Sequence, residues 1–367
     1  MVCNKDSINR IKIVFISFIV FLFFISFLYG KEENKTNRNN NKIYTINLEN
    51  YIYEKLGLKP EEYKFKKISN NPYGNVVYAY TIYKARGTLL ININIPQNVI
   101  GYRVLNDIKE VSDISIGYDN TILLNTLAGK NQFYYLSLKG DIKFDSPSFN
   151  TSMISTFPNG FYWLGFKYSD LKTKKLESKQ QFLFIYIKEK INSYDLSFIR
   201  NKIKSKTFNV FVFNKDNLVV QEYNKGLSNL YIVDLKTKGI KEIEKNKEIV
   251  MGNFVKDKFY YLKYDDEQNK VFIKEVDTNN LSISDKFSMG YKKDNYMIFN
   301  LNVGYNEFMI NKGMKQGNVK SIFYDFEGDE FYNIENEKIY PILYSNNNRI
   351  GFYYLFKNAI EIHNLRR

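Results

Sequence analysis

From residue 43 onward the chain is written in short bursts of alternating apolar and polar positions. The stretch NLYIVDLKTKGIKEI, residues 229–243, holds one alternating run, a polar turn with Gly239, and a second alternating run. Period-two alternation sets Leu230 and Ile232 on one face of a strand and the glycine turn reverses the chain, so the stretch predicts a β-hairpin. QFYYLSLKGDIKFDS from 132, KVFIKEVDTNNLSIS from 270 and SIFYDFEGDEFYNI from 321 share this form, and weaker versions begin at Thr88, Phe182 and Ala359. Just upstream of each lies a short apolar run behind a turn: NVVYAYTI, NTILLNTL, NGFYWLGF, DNLVVQEY, DKFYYLKY, YNEFMIN and RIGFYYLF. VSDISIG, FNVFVF, EIVMGN, YMIFNLNV and IYPILYS supply one further strand between modules.

The modules start about 40 to 50 residues apart, the interval of a four-stranded β-propeller blade. This predicts an all-β fold with seven blades, a count of six to eight being compatible with the spacing. The last module lacks an outer strand, and KIYTINL, residues 42–48, is a spare strand at the start of the repeats. It is expected to close the ring by completing the last blade. Over about residues 43–367 the chain therefore resembles the bacterial β-propeller proteins in architecture. The signatures of particular propeller families are missing, with no Trp-Asp dipeptide, no Gly-Gly pair of the kelch type and only one tryptophan, Trp163. An unrelated antiparallel arrangement, such as a pair of sandwiches, stays open. The best helix candidate is YIYEKLGLKPEEYKFKKI, residues 51–68.

Ahead of the repeats, the uncharged run from Ile13 to Tyr29 follows Lys5, Arg10 and Lys12. It is longer than the apolar core of most secretory signals and close to the ~20 residues that span a bilayer. Residues 1–12 thus read as a short cytoplasmic segment, 13–30 as a membrane anchor, 31–42 as a polar flexible linker and 43–367 as the folded part. The alternative for 13–30 is a signal peptide cleaved near Gly30, which would leave a secreted or periplasmic protein. In either case the C-terminal part is expected outside the cytoplasm.

Composition narrows the chemistry. A single cysteine, Cys3, and a single histidine, His363, exclude disulfide frameworks, Cys/His zinc sites and most histidine triads. Cys3 precedes the apolar run, where no lipoprotein cysteine would lie, and His363 reads as a strand-surface residue. No dinucleotide, phosphate-loop or nucleophile-elbow motif occurs, so no cofactor and no catalytic residue is assigned. Ser169 and Lys172 form an S-x-x-K without its companion motifs, a chance spacing. Two acidic clusters, Asp265, Asp266 and Glu267, and Glu327, Asp329 and Glu330, fall in turns and read as solvated rather than as metal sites.

The formal charge of +14 comes largely from lysine in a chain also rich in Asn, Ile, Tyr and Phe, which points to skewed composition as its main source. Two loop insertions of the third module, one between its second and third strands and one before the next blade, nevertheless gather positive charge: KYSDLKTKKLESKQ and DLSFIRNKIKSKT. Lys172, Lys174, Lys175, Arg200, Lys202, Lys204 and Lys206 would form a basic patch on one face of the ring. The expected function is an envelope-anchored binding or assembly module for a protein or an anionic envelope polymer, with no nucleic acid involved. The rival is a carbohydrate-active or other hydrolytic enzyme using carboxylates at the channel.

Overall fold

The computed structural model describes residues 42–365, apart from 84–86, 127–131, 150, 152, 171–174, 204–207, 225, 292–295, 315–318, 338 and 347–348. Seven antiparallel sheets follow one another. The first strand, β1 (Lys42–Asn47), leads into helix α1 (Leu48–Leu56). Blade 1 is β2 (Tyr63–Asn70), β3 (Asn75–Ile82), β4 (Gly87–Asn94) and β5 (Val99–Leu105), and blade 2 is β6 (Val111–Ile116), β7 (Ile122–Thr126), β8 (Gln132–Ser137) and β9 (Gly140–Asp145). Blade 3 has a divided inner strand, β10 (Ser148–Phe149) and β11 (Ser155–Phe157), then β12 (Gly160–Asp170), β13 (Lys175–Ile187) and β14 (Lys190–Asp195). Helix α2 (Ser197–Ile203) leads to blade 4: β15 (Phe208–Val212), β16 (Asn217–Asn224), β17 (Leu227–Asp234) and β18 (Gly239–Lys247). Blade 5 is β19 (Ile249–Val255), β20 (Lys258–Asp265), β21 (Lys270–Asp277) and β22 (Ile283–Gly290), and blade 6 is β23 (Tyr296–Val303), β24 (Glu307–Met314), β25 (Val319–Asp325) and β26 (Glu330–Glu337). Blade 7 takes β27 (Ile342–Asn346), β28 (Arg349–Leu355) and β29 (Ala359–Leu365) from the end of the chain and β1 from its start.

The last blade shows how the ring is joined. β1 lies antiparallel on β29, in register from Lys42 against Asn364 to Asn47 against Ala359. Ring closure is therefore carried by six residue pairs and by α1 wedged beside them. Leu48 and Ile52 of that helix are fully buried in the cluster shared by blades 7 and 1. Asn47 caps the helix by accepting a hydrogen bond from the Asn50 amide (3.0 Å). Gly57 ends it in the left-handed region, at φ 65°, where a side chain would be strained.

The core consists of apolar layers between neighbouring sheets. The second strand of each blade is the most buried: Val76, Val77, Tyr78 and Ala79 of β3 are all fully covered, whereas β22 at the rim of blade 5 is mostly exposed. Rings fill the widening wedge toward the rim. Between blades 2 and 3, Trp163 stacks on Phe133 (4.6 Å) and Phe184 (5.7 Å) and donates its indole N–H to Ser148 Oγ (3.0 Å).

Three expectations need correction. The helix expected over 51–68 is α1, a short turn at Pro60–Glu62 and the inner strand of blade 1; Gly57 and Pro60 stop the helix, and the alternation of Tyr63, Phe65 and Ile68 then takes over. The segment after NGFYWLGF is no open loop, because β12 and β13 stay paired out to Tyr168 with Leu176 and Asp170 with Lys175. DLSFIRNKIKSKT contains α2, which buries Ile199. No helix among the described residues is long and apolar enough to cross a membrane, and the run 13–30 lies outside those residues.

Candidate functional site

In an up-and-down ring the turns joining strands one to two and three to four emerge on one face. Those joining two to three, and one blade to the next, emerge on the other. The two faces differ in what the sequence has put there.

On the first face, the turn after the inner strand carries an aromatic residue in four of the blades, and in blade 5 Phe254 stands near the end of the strand itself. Tyr73 stacks on Tyr305 (6.2 Å) and meets Tyr118 edge-on (5.6 Å). Tyr118 reaches Phe254 (6.1 Å), and Phe254 packs on Phe213 (5.8 Å) and Phe259 (4.8 Å). Tyr118 belongs to blade 2 and Phe254 to blade 5, so this contact crosses the axis of the ring. The channel mouth on this face is thereby plugged by rings. Lys256 braces the plug, its backbone N–H donating to the Tyr73 hydroxyl (3.1 Å) and its ammonium lying over the Tyr305 ring (5.0 Å). Burial pushes the Tyr118 phenol far up, with Tyr73 adding to the effect.

Polar clamps tie the same turns together around the ring. Asn71 Nδ2 donates to the Gly117 carbonyl of the next blade (2.9 Å), while its Oδ1 accepts from the Tyr73 and Asn75 amides. Asn253 grips blade 6 with both ends of its amide, accepting from Val303 N–H (2.7 Å) and donating to Val303 C=O (2.9 Å). Ser345 of blade 7 donates to Glu307 Oε2 (2.8 Å) and accepts from Tyr305 N–H (3.3 Å). Gly304 lies against it, and a Cβ there would come within 2.5 Å of Ser345 Cβ.

Immediately above the plug, the axial channel widens into a cavity of about 230 Å³. Asn70, Thr156, Asn253 and Asn302 give it a neutral, hydrogen-bonding wall; Pro72 and Tyr118 also line it, with Val303, Ile342 and Leu343 as apolar patches. Close to the axis, Asp113 of β6 accepts from the Ile154 amide (2.6 Å). Burial raises its pKa, against the opposing pull of that N–H and of Lys67.

The opposite face is open and more apolar. Tyr83, Tyr223, Met297, Phe299, Ile339, Tyr340 and Phe356 are all substantially exposed there, and Met297 reaches 72%. Phe299 and Tyr340 meet edge to face (5.4 Å) across blades 6 and 7. On the plugged face the exposed large apolar residues among those described are Ile43, Val99, Leu138 and Ile283.

The sequence-predicted basic residues divide between two places. Lys172, Lys174, Lys204 and Lys206 lie outside the described residues. Lys175 stands at the outer end of the long β12–β13 hairpin on the open face, and Arg200 and Lys202 lie on α2. Arg200 is held against blade 3 by a hydrogen bond to Gln181 Oε1 (2.8 Å) and lies over the Phe208 ring (5.8 Å).

Of the acidic turns, Asp325, Glu327 and Asp329 bring carboxylate oxygens within 4.8 Å of one another, close enough to share a cation, with Asp325 rather than Glu330 as the third member. Asp325 Oδ1 already accepts from the amides of Glu327, Gly328 and Asp329, which accounts for its place in the turn. Asp265 plays the same part for Glu267 and Gln268. His363 is half-buried, stacked on Phe352 (4.4 Å) and paired with Glu361 (2.5 Å).

Sequence reasoning missed the plug and its clamps. A signal was present, since Tyr73, Tyr118, Phe213 and Tyr305 each follow an inner strand within a few residues and Phe254 is the penultimate residue of one. It becomes visible only once those strand ends are fixed.

No family model and no curated protein matches the sequence. Solved structures do match the fold. The chain is similar to an oligogalacturonate lyase in complex with manganese (8% identity, 84% of this chain and 92% of that one, TM-score 0.51). It is similar to an uncharacterized protein from Listeria monocytogenes (14% identity, 80% and 90%, TM-score 0.51). A third similarity is to the β-propeller domain of the Trilobed protease from Pyrococcus furiosus, described as having an open velcro topology (9% identity, 80% and 89%, TM-score 0.50). A prolyl endopeptidase also matches, at 10% identity and a TM-score of 0.50, and the chain spans 46% of its length. These likenesses define the class: a seven-bladed β-propeller, in which β1 on β29 makes the closing pair that gives the ring its join.

Proposed function

We propose that this protein is a binding or assembly module held at the cell envelope, which engages a protein or an anionic envelope polymer through the open face of its propeller. The observation that carries this reading is the asymmetry of the two faces. Exposed apolar side chains gather where the longer connections, both helices and the β12–β13 hairpin emerge, while the other mouth is shut by its own rings. An exposed apolar group rimmed by charge is the usual make-up of a partner surface. Arg200 and Lys202 on α2 add positive charge to the same face, and the neighbouring sequence contributes Lys172, Lys174, Lys175, Lys204 and Lys206 to the proposed basic patch. The apolar run 13–30 supplies the membrane attachment and places the propeller outside the cytoplasm.

The hydrolytic alternative draws on the fold of the lyase and peptidase neighbours, and at 8–10% identity that likeness extends to architecture only. The polar lining of the axial cavity comes from the amides of Asn70, Asn253 and Asn302 with Thr156 and Tyr118, groups suited to hydrogen bonding. The test is cross-linking and affinity purification of the tagged full-length protein from its native membranes. A discrete partner should be recovered, and its recovery should fall when Lys174, Lys175, Lys202 and Lys204 are changed to Glu. Unchanged recovery in that variant removes the basic rim from the proposal.

A further inference from the structure

We infer that the plugged face is the side of the ring that lies toward the membrane, so that the apolar open face is displayed away from it. The inference rests on the membrane reading of residues 13–30 and adds to it an orientation that the topology dictates.

β1 is the outer strand of blade 7, antiparallel to β29. The chain reaches β29 through the turn after β28, on the open face, so Ala359 starts at that face and Leu365 ends at the plugged one. Asn47, opposite Ala359, therefore lies at the open face, and Lys42, opposite Asn364, at the plugged face. The chain linking the ring to the apolar run enters at the rim of the plugged face.

Residues 31–41 separate Gly30 from Lys42, and eleven residues reach at most about 36–40 Å when fully extended. Turning the open face to the bilayer would send this stretch back along the edge of β1, roughly 20 Å for six strand residues, before it met the lipid. That uses about half of its extended reach. With the plugged face inward the same stretch runs directly from Lys42 to the surface.

The plugged face is mixed in charge: the outer turn of blade 6 places Asp325, Glu327 and Asp329 there and blade 3 adds the exposed Glu189, while basic groups gather on blades 2 to 4. The outer turns of blades 2, 3 and 4 present Lys139, Lys188, Lys190 and Lys238, all exposed. Beside Lys139, Leu138 is 85% exposed at the tip of its turn. Lysines close to an anionic bilayer are attracted to it, and an apolar tip among them can enter the interfacial layer.

The experiment uses the full-length chain reconstituted into vesicles containing phosphatidylglycerol, some of it carrying a headgroup quencher. In a Cys3→Ser background, single cysteines are placed at Lys139→Cys and Lys238→Cys on the plugged face and at Tyr83→Cys and Lys202→Cys on the open face, and each is labelled with a fluorophore. Labels at 139 and 238 should be quenched several-fold more than those at 83 and 202. Equal or reversed quenching, in protein that stays with the vesicles through a carbonate wash, overturns the orientation while leaving the anchor intact. Release of the protein by that wash overturns the membrane reading and the orientation with it.

Discussion

The two mouths of this ring are built from the same blades and the same kinds of side chain, yet one is closed and the other open. Phe254 and Phe299 make the comparison concrete. Both belong to inner strands of neighbouring blades, but Phe254 is 4% exposed inside the plug and Phe299 is 43% exposed at the open mouth. The difference follows from position along the strand: Phe254 stands beside the end of β19 at the plugged face, and Phe299 lies in the half of β23 nearer the open one. Turns between first and second strands are tight and held by Asn71, Asn253 and Glu307, so their aromatics are aimed at the axis and meet. Between blades the connections vary from a single residue before β19 to the long ones that form α1 and α2, and the apolar side chains at this mouth face solvent. A ring of this kind gains rigidity at one mouth and a surface for recognition at the other.

Replacing the two phenylalanines is the strongest way to test that contrast. Phe254→Ala should cost about 3–5 kcal/mol, as expected when a buried ring leaves a cavity. Phe299→Ala should cost about 1 kcal/mol or less, since much of its ring is already in water. Denaturant unfolding of both variants measures the difference, and similar losses would mean that the open mouth is as structural as the plug.

Next in size is Asn253→Ala, which strands the Val303 N–H and C=O at the inner edge of blade 6. A loss of roughly 1–3 kcal/mol is expected. Unchanged stability in the same unfolding assay would show that the clamp is replaced by solvent in the cavity.

Alkaline pH should act on the buried side of the comparison. Burial lifts the Tyr162 phenol to about 12, where its hydroxyl donates to Val210 of the next blade (3.0 Å), and lifts Tyr51 to about 12 as well. Below the ordinary phenol value near 10 the group is protonated in both folded and unfolded chains, and stability is level. Between about 10 and 12 only the unfolded chain releases the proton, so stability falls as pH rises through that window. Unfolding midpoints taken from pH 8 to 12 should show this decline, and Tyr162→Phe should flatten part of it.

The smallest effect is expected on the open face. Lys202→Glu should change stability by no more than about 0.5 kcal/mol, as is usual for exposed positions. A larger loss would show that α2 depends on its charge for docking, and that the rim is structural.

Much of the architecture can be read along the chain. Alternation in NLYIVDLKTKGIKEI gives β17 and β18, and the same signal recurring about every 40 to 50 residues gives the blades. Where the alternation was weak, the reading failed. Tyr63–Asn70 follows a real helix and was absorbed into it, and the inner strand of blade 3 is split into β10 and β11 by an interruption that no two-residue period can show. The candidate site was less legible. Its basic residues stand out as a composition, whereas the exposed apolar residues of the open face look in sequence like any others of their kind.

What the sequence determined by itself is local: which positions pair in hairpins, how many blades there are, and that an extra strand precedes them. These depend on side-chain period and turn chemistry within a few residues. Tertiary structure alone decided that Tyr73, Tyr118, Phe254 and Tyr305 meet on the axis, and that Lys42 enters at the face they close. Those aromatic residues lie up to 232 positions apart, from Tyr73 to Tyr305, and have no mutual pattern along the chain. They come together because closing seven twisted sheets into a ring fixes the height and direction of every turn at once.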